Sequence, residues 1–400
     1  MAIRYPRFSC FRTYNEIMGR YYRERKTLAH ERPVAYVTSG APVEILETLG
    51  VLTIYPENYG ALCGARRASV ALCELAESDG YAPDLCSYAK GHIAASRHPS
   101  GAPLEGLPRP DLLVCCNNIC GTVTSWYQVL ADYYEAPLFV IDVPFQAGMQ
   151  PEPHTIAYVS AQLEDFIVWS EDTVGARMDP DRFLRVLRRS QQAISLWTEI
   201  RELGAHHPSP LNAPDLFLAM APIVVMRGTQ TAVDFYRVMK AEVQKRIVQG
   251  VAAVPHERLR LLWDNIAIWY RLFRFYRMFA ERGACFVADT YTNAWSVNLS
   301  LDDPLTGMAR AYATPFINQN LATRAQVVNN LAQRFNADGM VMHANRSCKP
   351  FSLTQLDLKA ALRDQLGLPT LIVEADMSDS RQYNEGVIKE RIDAFLEMLT

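Results

Sequence analysis

Nine cysteines are the residues of this 400-residue chain best suited to unusual chemistry: Cys10, Cys63, Cys73, Cys86, Cys115, Cys116, Cys120, Cys285 and Cys348. None forms a C-x-x-C pair. That removes the usual basis for a thioredoxin-like redox couple or a zinc ribbon, and a ferredoxin-type ligand run is also missing. Position then sorts seven of them. Cys115, Cys116 and Cys285 lie inside the β-rich runs DLLVCC and ACFVAD, and Cys73 sits in a helical pattern with Ala71, Leu72 and Leu75. Thiols in such places serve as small buried hydrophobes. Cys120 is different. It follows DLLVCC by the turn Asn117-Asn118-Ile119 and stands where a helix begins near Gly121. Ligands of open α/β sheets bind beyond the carboxyl ends of strands. The free N–H groups and dipole of a helix start favour a thiolate or an anionic cluster. Cys348 holds the matching place after GMVMH, flanked by the positive charges of Arg346 and Lys349, and Cys86 lies near the start of a helix in Asp84-Leu85-Cys86-Ser87-Tyr88. Three thiols so placed can meet in a cleft between two sheets. The same pattern is also that of three unrelated buried thiols.

The elements that must position them read as follows. In the first part, the short apolar runs Pro33–Thr38, Val51–Tyr55, Asp111–Cys116 and Pro137–Asp142 are strands, with helices such as Pro42–Leu49 and Thr122–Tyr134 between them. Such alternation predicts a buried parallel sheet with helices on its faces. From about Pro153 to Arg282 helical periodicity takes over, in Ala157–Ser170, Asp181–Leu203 and Thr231–Gly250. Strand-like runs return at Ala284–Asp289, Gly339–His343 and Thr370–Glu374, alternating with helices at Leu321–Phe335, Ser352–Leu366 and Asn384–Leu399. The expected fold is therefore α/β, with two Rossmann-like parallel-sheet domains joined by a helical region. The expected division is residues 1–152 (α/β with a helical lead-in), 153–282 (helical) and 283–400 (α/β). The two α/β units have similar rhythm, which suggests a pseudo-repeat.

Composition sets outer limits. Hydrophobic residues make up 49% and charged residues 21%, a globular balance with material for sizeable cores. A net charge of −3 gives no reason to expect nucleic acid or an anionic membrane as partner. The longest apolar run, Phe217–Met226, is short and broken by Pro222, so no span of a bilayer is expected. Met1–Cys10 has no apolar stretch behind Arg4 and Arg7, so no export signal and a cytoplasmic location are expected. There, disulfides rarely persist, and nine cysteines turn attention to metal binding or catalysis. With neither GxGxxG after the first strand nor a Walker-type loop, bound dinucleotide or ATP is not indicated.

Several separated segments resemble one known family in the same order: YPENYGALCGARR (Tyr55–Arg67), DLCSYAKGHI (Asp84–Ile93), CNNICGTVTSWYQVLADYYEAPLFVIDVPF (Cys116–Phe145), HANRSCKPFSLTQLDLK (His343–Lys359) and the closing Glu374–Leu399. They resemble the 2-hydroxyacyl-CoA dehydratase family, which includes the iron–sulfur subunits of ATP-dependent benzoyl-CoA reductase. The resemblance covers essentially the whole chain. It implies a [4Fe–4S] cluster held in the cleft by three cysteines, which by motif are Cys86, Cys120 and Cys348; Cys63 and Cys116 are the nearest rivals. Three protein ligands leave one iron open to a substrate oxygen. The implied reaction passes an electron to the thioester carbonyl of an acyl-CoA, and the ketyl radical anion expels a hydroxyl group.

The resemblance also implies a hydroxyl and a carboxylate near the reacting carbons. Ser39, ending the first strand, and Glu57, after the second, match those positions and would share one edge of a parallel sheet. The plainer readings are a helix N-cap for Ser39 and a solvated turn carboxylate for Glu57. His343 and Arg346 can tune the cluster or simply pack. Asp376, Asp379 and Arg381 read as a local ion-pair network. The implied partners are an acyl-CoA substrate, a related iron–sulfur subunit forming a heterodimer, and a separate ATP-dependent iron–sulfur activator. Competing readings are a benzoyl-CoA reductase-type subunit and an electron-transfer or assembly subunit.

Overall fold

A computed structural model describes residues 5–400. Part of Met1–Cys10, where no export signal is expected, lies outside these residues. Eight strands form two four-stranded parallel sheets. In the first, β1 (Val34–Val37), β2 (Leu52–Ile54), β3 (Leu112–Cys116) and β4 (Leu138–Ile141) run in the order β2-β1-β3-β4. In the second, β5 (Leu259–Asp264), β6 (Ala284–Asp289), β7 (Gly339–Asn345) and β8 (Thr370–Ala375) run in the order β6-β5-β7-β8. The two orders are the same when each unit counts its own strands, so the pseudo-repeat is real at the level of topology. Register puts Ala35 beside Thr53 and Leu112 in the first sheet, and Met342 beside Asp264 and Ile372 in the second.

The strands alternate between two cores, as a side-chain period of two requires. Ala35, Val37, Leu112, Val114 and Cys116 face one layer, while Val34, Tyr36, Leu113 and Cys115 face the other. Burial on both sides is why these strands read as unbroken apolar runs.

The expected division differs in two places. β5 falls inside the stretch 153–282 that reads as helical from sequence. The long helices of that stretch, Pro153–Val174, Pro180–Glu202 and Gln230–Val248, do not stand apart either. Val159, Leu163, Phe166, Leu187, Ile194, Trp197, Val233 and Met239 share one core with Ala35, Val37, Leu112 and Val114; Pro153–Val174 packs against β4, Pro180–Glu202 packs on the helix Glu44–Leu49, and Gln230–Val248 packs on Pro180–Glu202 in turn. Among the described residues no helix is long and apolar enough to cross a membrane.

The order 2-1-3-4 creates a reversal between the first and third strands of each unit, and the loops beyond the carboxyl ends of those strands diverge to leave a crevice. Two crevices face each other here. One is edged by Ser39, Gly40, Asn118 and Cys120, the other by Ile266, Trp269 and Cys348, and all of them line a single cavity of about 1060 Å³.

Candidate active site

The nine cysteines separate cleanly in space. Cys86, Cys120 and Cys348 line the cavity and keep some exposure; the other six are buried elsewhere. Cys63 packs with Tyr59 and Leu72, and Cys116 lies in the core of β3, where its N–H donates to Thr38 Oγ1 at 2.9 Å. Each cavity thiol is placed by the same local device, a residue that caps the start of a helix. Cys86 precedes Ser87–Arg97, Cys120 precedes Gly121–Tyr134, and Cys348 precedes the short turn Lys349–Ser352. Backbone N–H groups of Tyr88 and Ala89 face the Cys86 sulfur, those of Thr122 and Val123 face Cys120, and that of Phe351 faces Cys348. None closes a full capping hydrogen bond.

Burial dominates the acidity of these thiols. It pushes Cys86 up to about 12 and raises Cys120 and Cys348 as well. The nearby Cys120 raises Cys86 further, and both Cys86 and Cys120 raise Cys348, so the three lie within electrostatic reach of one another. Such a group becomes a set of thiolates only when a bound cation offsets the charge. Among the described residues no three His, Cys, Asp or Glu side chains stand close enough to hold one metal ion. Three thiols spaced around one cavity and met by N–H groups suit a larger, anionic polynuclear group.

The two units are locked together beside these thiols. Asp376, buried in the loop after β8, accepts from Ser87 Oγ at 2.7 Å and from Ser347 Oγ, and also from the N–H groups of Ser378 and Asp379 at 2.9 Å. Ser87 directly follows Cys86 and Ser347 directly precedes Cys348, so one carboxylate ties together the sequence neighbours of two cavity thiols from different units. Trp269 Nε1 donates to Tyr88 Oη across the same seam. The helix Pro56–Ala65 reaches this seam closely. A side chain at Gly60 would meet the Tyr88 ring at 2.7 Å, and one at Gly64 would meet Ser378 at 2.9 Å.

Ser39 and Glu57 come together as their strands predict. Pro56 at the first helical position fixes the entry to the helix Pro56–Ala65, and Glu57 follows in its first turn. Glu57 thus stands in a helix rather than a turn, and is only partly solvated. The Ser39 N–H donates to Glu57 Oε2 at 2.6 Å. Glu57 keeps one side open to the cavity and is enclosed by protein elsewhere, and that burial pushes its carboxyl up to about 7, against the smaller pull of Ser39 and Arg227. Ser39 does not cap a helix: Glu44–Leu49 begins five residues later behind Val43.

Some residues of this site give no sign in the sequence. Arg227, buried after a short helix, donates to Ala41 O at 2.8 Å and Ser39 O at 3.3 Å. Its Nε lies 3.7 Å from Glu44, which also accepts from Tyr312 Oη at 2.7 Å and Ser190 Oγ at 2.8 Å. A lone arginine in Met-Arg-Gly offers only Gly228, at φ +81°, as a signal of a turn. Asn118 ties the units by donating to Gly40 O at 3.0 Å and Tyr312 O at 2.8 Å. Tyr291 lines the cavity near Glu57.

The remaining expected residues fall outside the cavity. His343 is buried under Trp263 with Nδ1 2.7 Å from Ile266 O, and burial holds it neutral with a pKa lowered to about 4. Arg346 is exposed and pairs with Glu374. Asp379 and Arg381 do form an ion-pair network, with Glu77 and Lys90. Asp376 belongs to the serine network instead.

The sequence matches the family described as "2-hydroxyglutaryl-CoA dehydratase, D-component" over residues 38–399. The chain belongs to that family. It is 32% identical over 388 residues to the (R)-2-hydroxyisocaproyl-CoA dehydratase alpha subunit of Clostridioides difficile, covering 96% of this chain and 95% of that one. It is 30% identical over 390 residues to the alpha subunit of lactoyl-CoA dehydratase from Anaerotignum propionicum, covering 94% and 92%. One of the subunits of benzoyl-CoA reductase from Thauera aromatica is 26% identical over 402 residues, covering 96% and 92%. Family membership thus spans both sheets and the cavity between them.

Proposed function

We propose that this chain is a [4Fe–4S] subunit of a 2-hydroxyacyl-CoA dehydratase, a lyase that removes water from a 2-hydroxyacyl-CoA. The observation that carries the proposal is the meeting of Cys86, Cys120 and Cys348, and of no other cysteine, in one cavity with the Ser39–Glu57 pair. Those three thiols would hold the cluster. When bound, it supplies single electrons to the thioester carbonyl, the chemistry by which a ketyl radical anion sheds the neighbouring hydroxyl.

The chain's own residues do the rest. Glu57, balanced near pH 7, can accept a β-proton or return one to the leaving hydroxyl without a large energetic penalty either way. The Ser39 hydroxyl stands beside it to orient the hydroxyl being lost. Arg227 clamps the carbonyls of Ser39 and Ala41 and so holds the loop in place. Trp126, Trp269, Phe351 and Met377 wall the cavity with apolar surface that limits water around a reactive intermediate.

The working unit in this reading is a cytoplasmic heterodimer with a related iron–sulfur subunit. A separate ATP-dependent iron–sulfur activator charges it with electrons, since this chain carries no phosphate-binding loop motif. The Thauera aromatica relative supports a second reading, reduction of an aromatic acyl-CoA in the same cavity. Anaerobically purified complex assayed with 2-hydroxyacyl-CoA thioesters and with benzoyl-CoA separates the two. Dehydration without net electron consumption is expected. Electron-consuming turnover of benzoyl-CoA alone would replace the first reading with the second.

A further inference from the structure

Besides the thiols, the cavity is lined by residues of the helix Cys10–Leu28 and of the turn Pro103–Gly106, and several of these are exposed, so the cavity opens to solvent there. The exposed residues lining this opening include Arg23, Lys26 and Arg66, with Glu105 opposite. Among the described residues Arg23 and Arg66 have no hydrogen-bond or ion-pair partner for their guanidinium groups. Arg25, by contrast, is tied to Thr53 O at 2.9 Å and lies over the Tyr21 ring, so it serves the fold.

Lys26 bridges the opening. Its Nζ donates to Leu104 O at 2.5 Å and lies 3.4 Å from Glu105 Oε2. The turn it reaches is strained. Leu104 and Glu105 stand at φ +60° and +55°, and Gly106 follows at +78°. Two successive non-glycine residues in the left-handed region persist only where neighbours hold them, and such strain gathers at ligand clamps. The chain as a whole carries −3, so this concentration of positive charge is local.

The arrangement fits an amphipathic ligand, apolar or polar-neutral along the cavity and polyanionic where it leaves. We propose that this rim is the subsite for the phosphates of the nucleotide carrier of the thioester. Arg23, Lys26 and Arg66 take up the anionic tail, and Glu105 occupies Lys26 until a phosphate replaces it. Guanidinium forks and phosphate oxygens match in geometry as well as charge. This proposal rests on reading the cavity as an acyl-CoA site.

The test is calorimetric titration of the full chain, anaerobically, with CoA and with pantetheine, which carries none of the phosphates. Arg23→Gln and Arg66→Gln should each weaken CoA binding roughly 3- to 10-fold, as expected for exposed charge pairs, and added salt should shrink the difference. Pantetheine should bind parent and variants alike. Glu105→Gln should tighten CoA binding roughly 2- to 3-fold by releasing Lys26, a gain that a merely structural role would not produce. CoA binding unchanged in both arginine variants overturns the rim, as does equal weakening toward pantetheine. A parent chain that binds neither molecule overturns the acyl-CoA reading itself, and the rim with it.

Discussion

Glu57→Gln gives the sharpest view of the site's electrostatics. The substitution keeps the size of the side chain and an oxygen to accept the Ser39 N–H, now held at 2.6 Å, but removes the titration. Burial moves the carboxyl from an ordinary 4.5 to about 7. A gap of that size corresponds to about 3 kcal/mol; because one side of Glu57 faces the open cavity, about half of it, ~1–2 kcal/mol, is the expected stability effect. The sign follows from proton counting. Between pH 4.5 and about 7 the folded chain holds the proton more tightly than the unfolded one. The contribution is therefore fully present below 4.5 and is lost as pH rises through about 7. Denaturant unfolding of parent and variant at pH 5 and pH 8 should show the parent losing ~1–2 kcal/mol more than Glu57→Gln across that interval. Turnover of the variant should fall on the order of 10²-fold, the usual scale for a proton-transferring group, with iron content unchanged. Identical pH dependence of stability in the two proteins would refute the burial argument. Unchanged turnover would leave Glu57 without a part in the reaction.

Other positions carry expectations of their own. Asp376→Ala strands the buried hydroxyls of Ser87 and Ser347 and two N–H groups, so it should cost about 2–4 kcal/mol and loosen iron. Asp376→Asn, which can still accept, should recover part of both in unfolding and iron assays. Gly60→Ala places a methyl group 2.7 Å from the Tyr88 ring; overpacking there should lower stability by about 1–3 kcal/mol, measured by unfolding. The purified chain should release no phosphate from ATP above background, since no phosphate-binding loop motif stands in its sequence.

Much of this fold is legible in the sequence because its strands are unbroken apolar runs between turn residues. DLLVCC and ACFVAD form β3 and β6 almost to the residue. β5 escapes because Leu-Arg-Leu-Leu-Trp-Asp carries a charge near its start. Arg260 is nonetheless buried, donating to the carbonyls of Phe335, Gly204, Ala205 and His206 and pairing with Glu257, a set of partners only the folded chain assembles. The helix Pro56–Ala65 escapes because Pro-Glu-Asn reads as a turn, although proline at a first helical position is a normal start. Cys86, Cys120 and Cys348 stand out because each lies between elements, where a thiol gains little as core filler. Arg227 gives no such sign, and Asp376 reads only as part of a local ion-pair group. Their roles depend on partners 29 to 289 positions away, Asp376 on Ser347 and Ser87, and Arg227 on Ser39.

The most direct test of the account is iron retention and spectroscopy on anaerobically prepared protein, with each of the three cavity cysteines replaced by alanine in turn. Cys86→Ala, Cys120→Ala and Cys348→Ala should each lose most of the iron, while Cys73→Ala, whose thiol is buried against Ser87 O outside the cavity, should keep it. Adding an acyl-CoA to the parent should alter the spectrum of the iron it holds. Full iron retention in Cys120→Ala with Cys116 intact, or a parent spectrum indifferent to acyl-CoA, would contradict a substrate-binding cluster held by these three thiols.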